Sequence, residues 1–127
     1  IEDLKTALKV AQKFPGLDKN KIGLVGHSFG ASIILRGFKQ YKFVNCLVLI
    51  SPPISSIDES EMRNHKHPKL VAVGDSDRIV DSAELKQTLG ELNEFDQFLE
   101  IPGAGHDLRS HEEKLATRII TFVADNF

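Results

Sequence analysis

The chain has 127 residues, of which 41% are hydrophobic and 27% are charged, and its net charge is −2. That length fits a single domain with a core of its own. No basic block occurs, so nucleic-acid binding has no electrostatic support. The longest apolar stretch, 46–50, is far too short to span a membrane, and no membrane partner is expected. The single cysteine, Cys46, excludes an internal disulfide, is expected in the core and favours a reducing cytoplasm.

Short apolar runs alternate with amphipathic segments along the chain. The apolar runs predict buried strands at 22–25, 47–50, 70–73 and 98–101. Apolar residues at helical spacing predict helices at 1–14, 29–40, 82–93 and 111–125. A mixed polar connection is expected at 54–68. Strands that alternate with helices predict an α/β fold, a doubly wound and mainly parallel sheet whose strands lie side by side in chain order.

The segment Gly26-His27-Ser28-Phe29-Gly30 joins the first predicted strand to the helix that follows it. A serine between two glycines at such a turn is typical of a nucleophile elbow. The turn forces the serine towards positive φ, and side chains in place of the two glycines would crowd it. Because a helix starts directly after Ser28, the Phe29 N–H has no helical partner and can face a developing oxyanion.

Chemically matched partners for Ser28 follow two later strands. Asp77 comes after the strand at 70–73, and His106 ends the glycine-rich turn after the strand at 98–101. The carboxyl ends of parallel strands gather at one edge of a sheet, so the three side chains are expected there. His106 would take the proton of Ser28, and Asp77 would fix the tautomer of His106.

Two neighbouring carboxylates are alternatives to Asp77 as the acid. Asp75 stands two residues earlier, although it could instead cap the loop or bind a backbone N–H. Asp81 is the third candidate. The sequence leaves this choice open at this point.

The other histidines are expected to have structural roles. His27 is predicted to be a packing residue beside the nucleophile rather than a second base. His65 and His67 fall in the polar connection and are predicted to be solvated, not metal-binding, because no cysteine or third ligand stands near them. His111 is predicted to be exposed where the last helix opens.

Four segments resemble the C-terminal half of small α/β-hydrolases: GHSFGA at 26–31, LVLISPP at 47–53, GDSDRIV at 74–80 and IPGAGH at 101–106. They are most similar to the lid-less predicted esterases related to the dienelactone hydrolases, and the resemblance covers essentially the whole chain. Dienelactone hydrolases proper often carry cysteine as nucleophile. This chain has serine, so a dienelactone substrate does not follow.

The resemblance implies a role for each residue of the candidate site. Ser28 would be the nucleophile, His106 the base, and the Phe29 N–H a donor to the oxyanion. In that family the acid is the second Asp of a G-D-x-D loop, which favours Asp77. Phe29 and Pro52-Pro53 are expected either to line an acyl pocket or to be simply core and turn residues.

The same family normally begins with further strands and a helix, whereas this chain starts at Ile1. The 127 residues are therefore expected to be the C-terminal part of a longer hydrolase, whose earlier residues supply the second oxyanion donor. The strand at 22–25 would then have one bare face and one unpaired edge. The connection at 51–70 is too short for a lid domain, so the site is expected to be open.

These observations predict a serine hydrolase that cleaves small ester or related acyl substrates through an acyl-enzyme. No cofactor or metal is expected, the partner is a small-molecule acyl substrate, and the sequence leaves the oligomeric state open. The alternative is a catalytically silent interaction or structural domain, against which the intact Ser, Asp and His set argues. A flavodoxin-like binding domain would need a glycine-rich phosphate loop, and only the elbow is glycine-rich after the first strand.

Overall fold

A computed structural model describes residues 1–127, apart from the side chain of residue 59. The strands are β1 (Gly23–His27), β2 (Cys46–Ile50), β3 (Lys69–Gly74) and β4 (Gln97–Ile101). The helices are α1 (Glu2–Lys13), α2 (Phe29–Gly37), α3 (Glu59–Asn64), α4 (Ser82–Leu89) and α5 (Glu112–Asp125). All neighbouring strands are parallel and lie in chain order, β1-β2-β3-β4. The predicted α/β class and strand order are confirmed.

Several predicted boundaries were wrong where a local turn ends a helix early. A 3₁₀ turn at Phe38–Gln40 follows α2, and α4 stops at Leu89 because Gly90 takes a φ of 67°. The connection predicted to be irregular contains α3, whose first turn is capped by Asp58 accepting the Glu61 N–H at 3.1 Å. A helix of six residues is too short to show a clear apolar period.

The two central strands are buried on both faces, as is usual in a parallel sheet covered by helices. Alternate side chains enter two separate cores. One core holds residues of α1 to α4 together with Leu24, Leu47, Leu49, Val71 and Val73. The other holds residues of α5 together with Val48, Ile50, Leu70, Ala72, Leu99 and Ile101. The sheet is therefore doubly wound, with four helices on one face and one on the other.

Strand β1 is covered on one face only. Leu24 is buried in the larger core, whereas Val25 is 54% exposed on the opposite face and His27 beside it is exposed too. Within the described chain, β1 pairs only with β2, so its other edge is open. The bare face and the unpaired edge predicted from the sequence are both confirmed.

We expect the 127-residue chain, produced alone, to self-associate, because an exposed apolar edge strand is a template for pairing with another chain. Size-exclusion chromatography with light scattering should show oligomers or aggregates. Val25→Lys should reduce association, since a charge on an edge strand opposes pairing. The control, Phe95→Lys, replaces a side chain that is 63% exposed in a turn, and should leave association unchanged. A monodisperse wild-type monomer would contradict the expectation.

Candidate active site

Ser28 occupies the tight turn between β1 and α2. Its φ is 51° and its ψ is −111°, a positive-φ conformation that non-glycine residues rarely adopt. The Ser28 N–H donates to the Ile50 carbonyl at 2.8 Å, and the Ser28 carbonyl accepts the Ser32 N–H at 3.2 Å. These bonds to β2 and to α2 hold the strained residue from both sides, which is what a nucleophile elbow requires.

The two glycines of the elbow differ in the space that a side chain would have at their positions. A Cβ on Gly26 would lie 2.7 Å from the Ala31 nitrogen and 2.7 Å from the Ile34 Cδ1, closer than real Cβ atoms come. A Cβ on Gly30 would meet nothing within 4 Å. The predicted crowding is therefore confirmed at Gly26. It is wrong at Gly30 within the described residues, because the first turn of α2 faces open space there.

Three side chains from three strand ends form one hydrogen-bonded row. The Ser28 Oγ lies 2.9 Å from the His106 Nε2, and the His106 Nδ1 lies 2.8 Å from the Asp77 Oδ2. The Asp77 side chain is fully buried, and that of His106 is 21% exposed. Because an ionised carboxylate can only accept, the Nδ1 carries the proton, which leaves the Nε2 as acceptor for the Ser28 hydroxyl.

The surroundings of Asp77 keep its carboxylate ionised. Burial raises the pKa of Asp77, but hydrogen bonds from the Val80 N–H, the His106 ring and the Ile79 N–H outweigh it, so that the pKa lies below its ordinary value. A lowered carboxyl pKa stabilises the fold above the unfolded-state pKa of about 3.9. That contribution is lost as the pH falls through the lower folded-state pKa.

The other two candidate carboxylates do not contact His106. The Asp75 Oδ1 accepts the Gly103 N–H at 2.7 Å, and so ties the glycine-rich turn to the end of β3. Asp81 caps α4 by accepting the Glu84 N–H at 2.8 Å. Of the three acids, Asp77 alone is within hydrogen-bond distance of the histidine.

Phe29 opens α2 directly beside the candidate nucleophile. Within the described residues no backbone carbonyl takes its N–H, so this donor remains available at the positive end of the helix dipole. Its side chain is 71% exposed and so does not belong to the core. Pro52 is buried and Pro53 half-buried after β2.

An open cavity of about 480 Å³ lies beside His106. The side chains of Arg78 and Ile79, which line it, are both exposed. The connection between β2 and β3 contains only a 3₁₀ turn and α3. The expectation that this short connection forms no lid domain is confirmed.

Several predictions about histidines were wrong. His27 is exposed rather than packed, and its Nε2 lies 2.9 Å from the His106 carbonyl oxygen. His65 is half-buried against Phe38, with ring centroids 4.4 Å apart, and burial lowers its pKa to about 4. The reason is α3, which the sequence pattern missed and which carries His65 onto the 3₁₀ turn after α2. His67, predicted to be solvated like His65, is half-buried with its ring 4.7 Å from that of His65. His111, predicted to be exposed, is half-buried at the start of α5.

The described residues contain no group of three or more His, Cys, Asp or Glu side chains placed to hold a metal ion. They also contain no helix that is both long and apolar enough to cross a bilayer. The features that the structure does bring together are the elbow serine, the histidine and the buried aspartate.

Such a row at the carboxyl edge of a parallel sheet, with the serine on an elbow, is the arrangement of the α/β-hydrolases. The model of the dienelactone hydrolase family matches residues 1–119, and the chain belongs to that family. No curated protein gives a significant match to the sequence.

Solved structures share the fold over nearly the whole chain. An α/β serine hydrolase homologue from Coxiella burnetii is 26% identical with a TM-score of 0.78, and a serine hydrolase without a lid from Xanthomonas campestris is 25% identical with a TM-score of 0.80. The matches cover 98% and 97% of this chain but only 57% and 55% of those proteins. An esterase from Pyrococcus furiosus, 20% identical over 97% of this chain and 60% of its own, has a TM-score of 0.79 and shows the fold alone.

The elbow geometry predicts unequal effects for its two glycines. We expect Gly26→Ala to lower the free energy of unfolding by about 1–3 kcal/mol, because its Cβ would overlap the start of α2. Gly30→Ala is the matched control and should change that free energy by less than about 1 kcal/mol, since its Cβ meets no neighbour. Urea titration of both variants in the full-length protein measures the difference. Equal losses would contradict the crowding at Gly26.

Proposed function

We propose that the protein is a serine hydrolase that cleaves small ester or related acyl substrates through an acyl-enzyme. The observation that carries the proposal is the continuous row from the Ser28 Oγ through His106 to Asp77, with contacts of 2.9 and 2.8 Å. Membership of a hydrolase family and the likeness to two α/β serine hydrolases support it.

The row accounts for each proton in the proposed reaction. The Ser28 Oγ attacks the substrate carbonyl carbon while the His106 Nε2 takes the hydroxyl proton. The tetrahedral intermediate collapses, the acyl bond to the leaving group breaks, and His106 gives that proton to the leaving oxygen. Water then attacks the acyl-enzyme by the same steps and releases the acid. Asp77 remains ionised throughout and stabilises the imidazolium.

The oxyanion that forms in each tetrahedral intermediate needs preorganised donors. The Phe29 N–H is the donor that this chain offers, at the amino end of α2. We propose that the chain is the C-terminal part of a longer α/β-hydrolase and that residues outside it supply the second donor. The bare face of β1 and the 55–57% coverage of the related serine hydrolases support this part of the proposal.

The surroundings of His106 favour a small substrate. The adjoining cavity is open and is lined by the exposed side chains of Arg78 and Ile79. No lid domain stands in the β2–β3 connection to enclose a long acyl chain.

The nucleophile assignment predicts covalent labelling at one residue. A fluorophosphonate probe should label the full-length wild-type protein at Ser28, because His106 activates that hydroxyl. Ser28→Ala should abolish labelling while circular dichroism and the melting temperature stay near those of the wild type. Labelling that persists in the variant would overturn the assignment, and an unreactive wild type would favour a catalytically silent domain.

Substitutions of the two neighbouring aspartates test which of them is the acid of the triad. Asp77→Asn should lower kcat by about 10⁴, because an amide cannot hold His106 in the required tautomer. Asp75→Asn keeps an oxygen that can accept the Gly103 N–H, so kcat should fall by less than about tenfold. Steady-state hydrolysis of p-nitrophenyl acetate measures both. The reverse ranking would show that Asp75 is the acid.

A further inference from the structure

The histidine that precedes the nucleophile has an unassigned contact with the catalytic loop. The His27 Nε2 lies 2.9 Å from the His106 backbone carbonyl oxygen, and the two rings are 5.5 Å apart. A carbonyl only accepts, so the His27 Nε2 must be the donor. We propose that His27 is a positioning residue, which holds the backbone of the base in place through this hydrogen bond. The inference rests on the proposed function.

The His106 carbonyl is approached from two adjacent strand ends. His27 ends β1, and Ser51 directly follows β2. The Ser51 Oγ lies at 3.5 Å from the same carbonyl oxygen, at the limit of a hydrogen bond. Ser51 is fully buried, and its N–H donates to the Ala72 carbonyl at 2.8 Å. The His27 bond is therefore the shorter and stronger of the two contacts.

Two further bonds hold the beginning of the catalytic turn. Asp75 accepts the Gly103 N–H at 2.7 Å, and the Ser76 N–H donates to the Ala104 carbonyl at 3.0 Å. Gly105 follows, and a Cβ there would meet nothing within 4 Å. A glycine in open space is a weak restraint on the residue after it. Beyond that glycine, Leu108 is buried and its N–H donates to the Gly105 carbonyl at 3.2 Å. The His27 bond restrains the carbonyl of His106 itself.

Catalysis is sensitive to the position of this backbone. The His106 Nε2 lies 2.9 Å from the Ser28 Oγ, and this contact would lengthen if the turn moved away from β1, which Ser28 directly follows. A misplacement of about 1 Å in a catalytic group can cost about 10²-fold in rate. The His27 ring is exposed, so its removal leaves little packing to lose. A positioning role therefore predicts a loss of rate without a comparable loss of stability.

The test compares His27→Ala with His27→Gln in the full-length protein. The Gln side-chain amide carries an N–H at a reach similar to that of the His Nε2, so it can restore the hydrogen bond. We expect His27→Ala to lower kcat for p-nitrophenyl acetate about 10- to 100-fold with KM changed less than about twofold. His27→Gln should recover kcat to within about threefold of wild type. His67→Ala is the histidine control. His67 lies just before the amino end of β3, away from the site, and the variant should keep full activity.

Other outcomes overturn the proposal. If His27→Ala stays within threefold of wild type, the contact has no positioning role. If Ala and Gln variants lose activity equally, or lose it in step with a lower melting temperature or a raised KM, the role is structural. Ser28→Ala is measured beside these variants, so that failure of this inference can be told from failure of the proposed function. A wild type that is no more active than Ser28→Ala would overturn the proposed function, and this inference with it.

Discussion

Parallel pairing in one register is the constraint on which the site depends. His27 lies opposite Ile50, Ile50 opposite Ala72, and Gly74 opposite Ile101, so the carboxyl ends of all four strands meet at one edge. The segments that leave this edge carry every polar group of the candidate site. Side chains separated by as many as 78 residues therefore come within hydrogen-bond distance.

Close approach of backbone segments makes this edge rigid. The end of β3 and the turn after β4 touch so tightly that a Cβ on Gly74 would lie 2.0 Å from the Ala104 carbonyl oxygen. The Asp75 N–H donates to the Ile101 carbonyl at 3.1 Å across the same contact. Because Asp77 and His106 stand on these two joined segments, their mutual distance follows from the backbone. In the proposed reaction, preorganisation of this kind would remove the need to order the pair.

Local patterns were enough to predict the strands, the elbow and the partners of its serine. The apolar run at 47–50 and the G-x-S-x-G segment each reflect short-range requirements: burial on two faces and a tight turn at positive φ. The prediction that Ser28, Asp77 and His106 share one sheet edge needed only the strand order. Among the misses were α3, which is too short for a period, and the free space at Gly30, which depends on what lies opposite.

The sequence by itself determined the fold class, the order of the strands, and Ser28 and His106 as candidate residues at the strand ends, because periodicity and turn chemistry are local properties. Only the tertiary structure decided between Asp77 and Asp75, since both stand on one loop and their difference is the direction each carboxylate takes. Only the tertiary structure showed the contact between the His27 ring and the His106 carbonyl, which are 79 residues apart. Contacts of that span depend on how two loops lie in space, for which no local pattern exists.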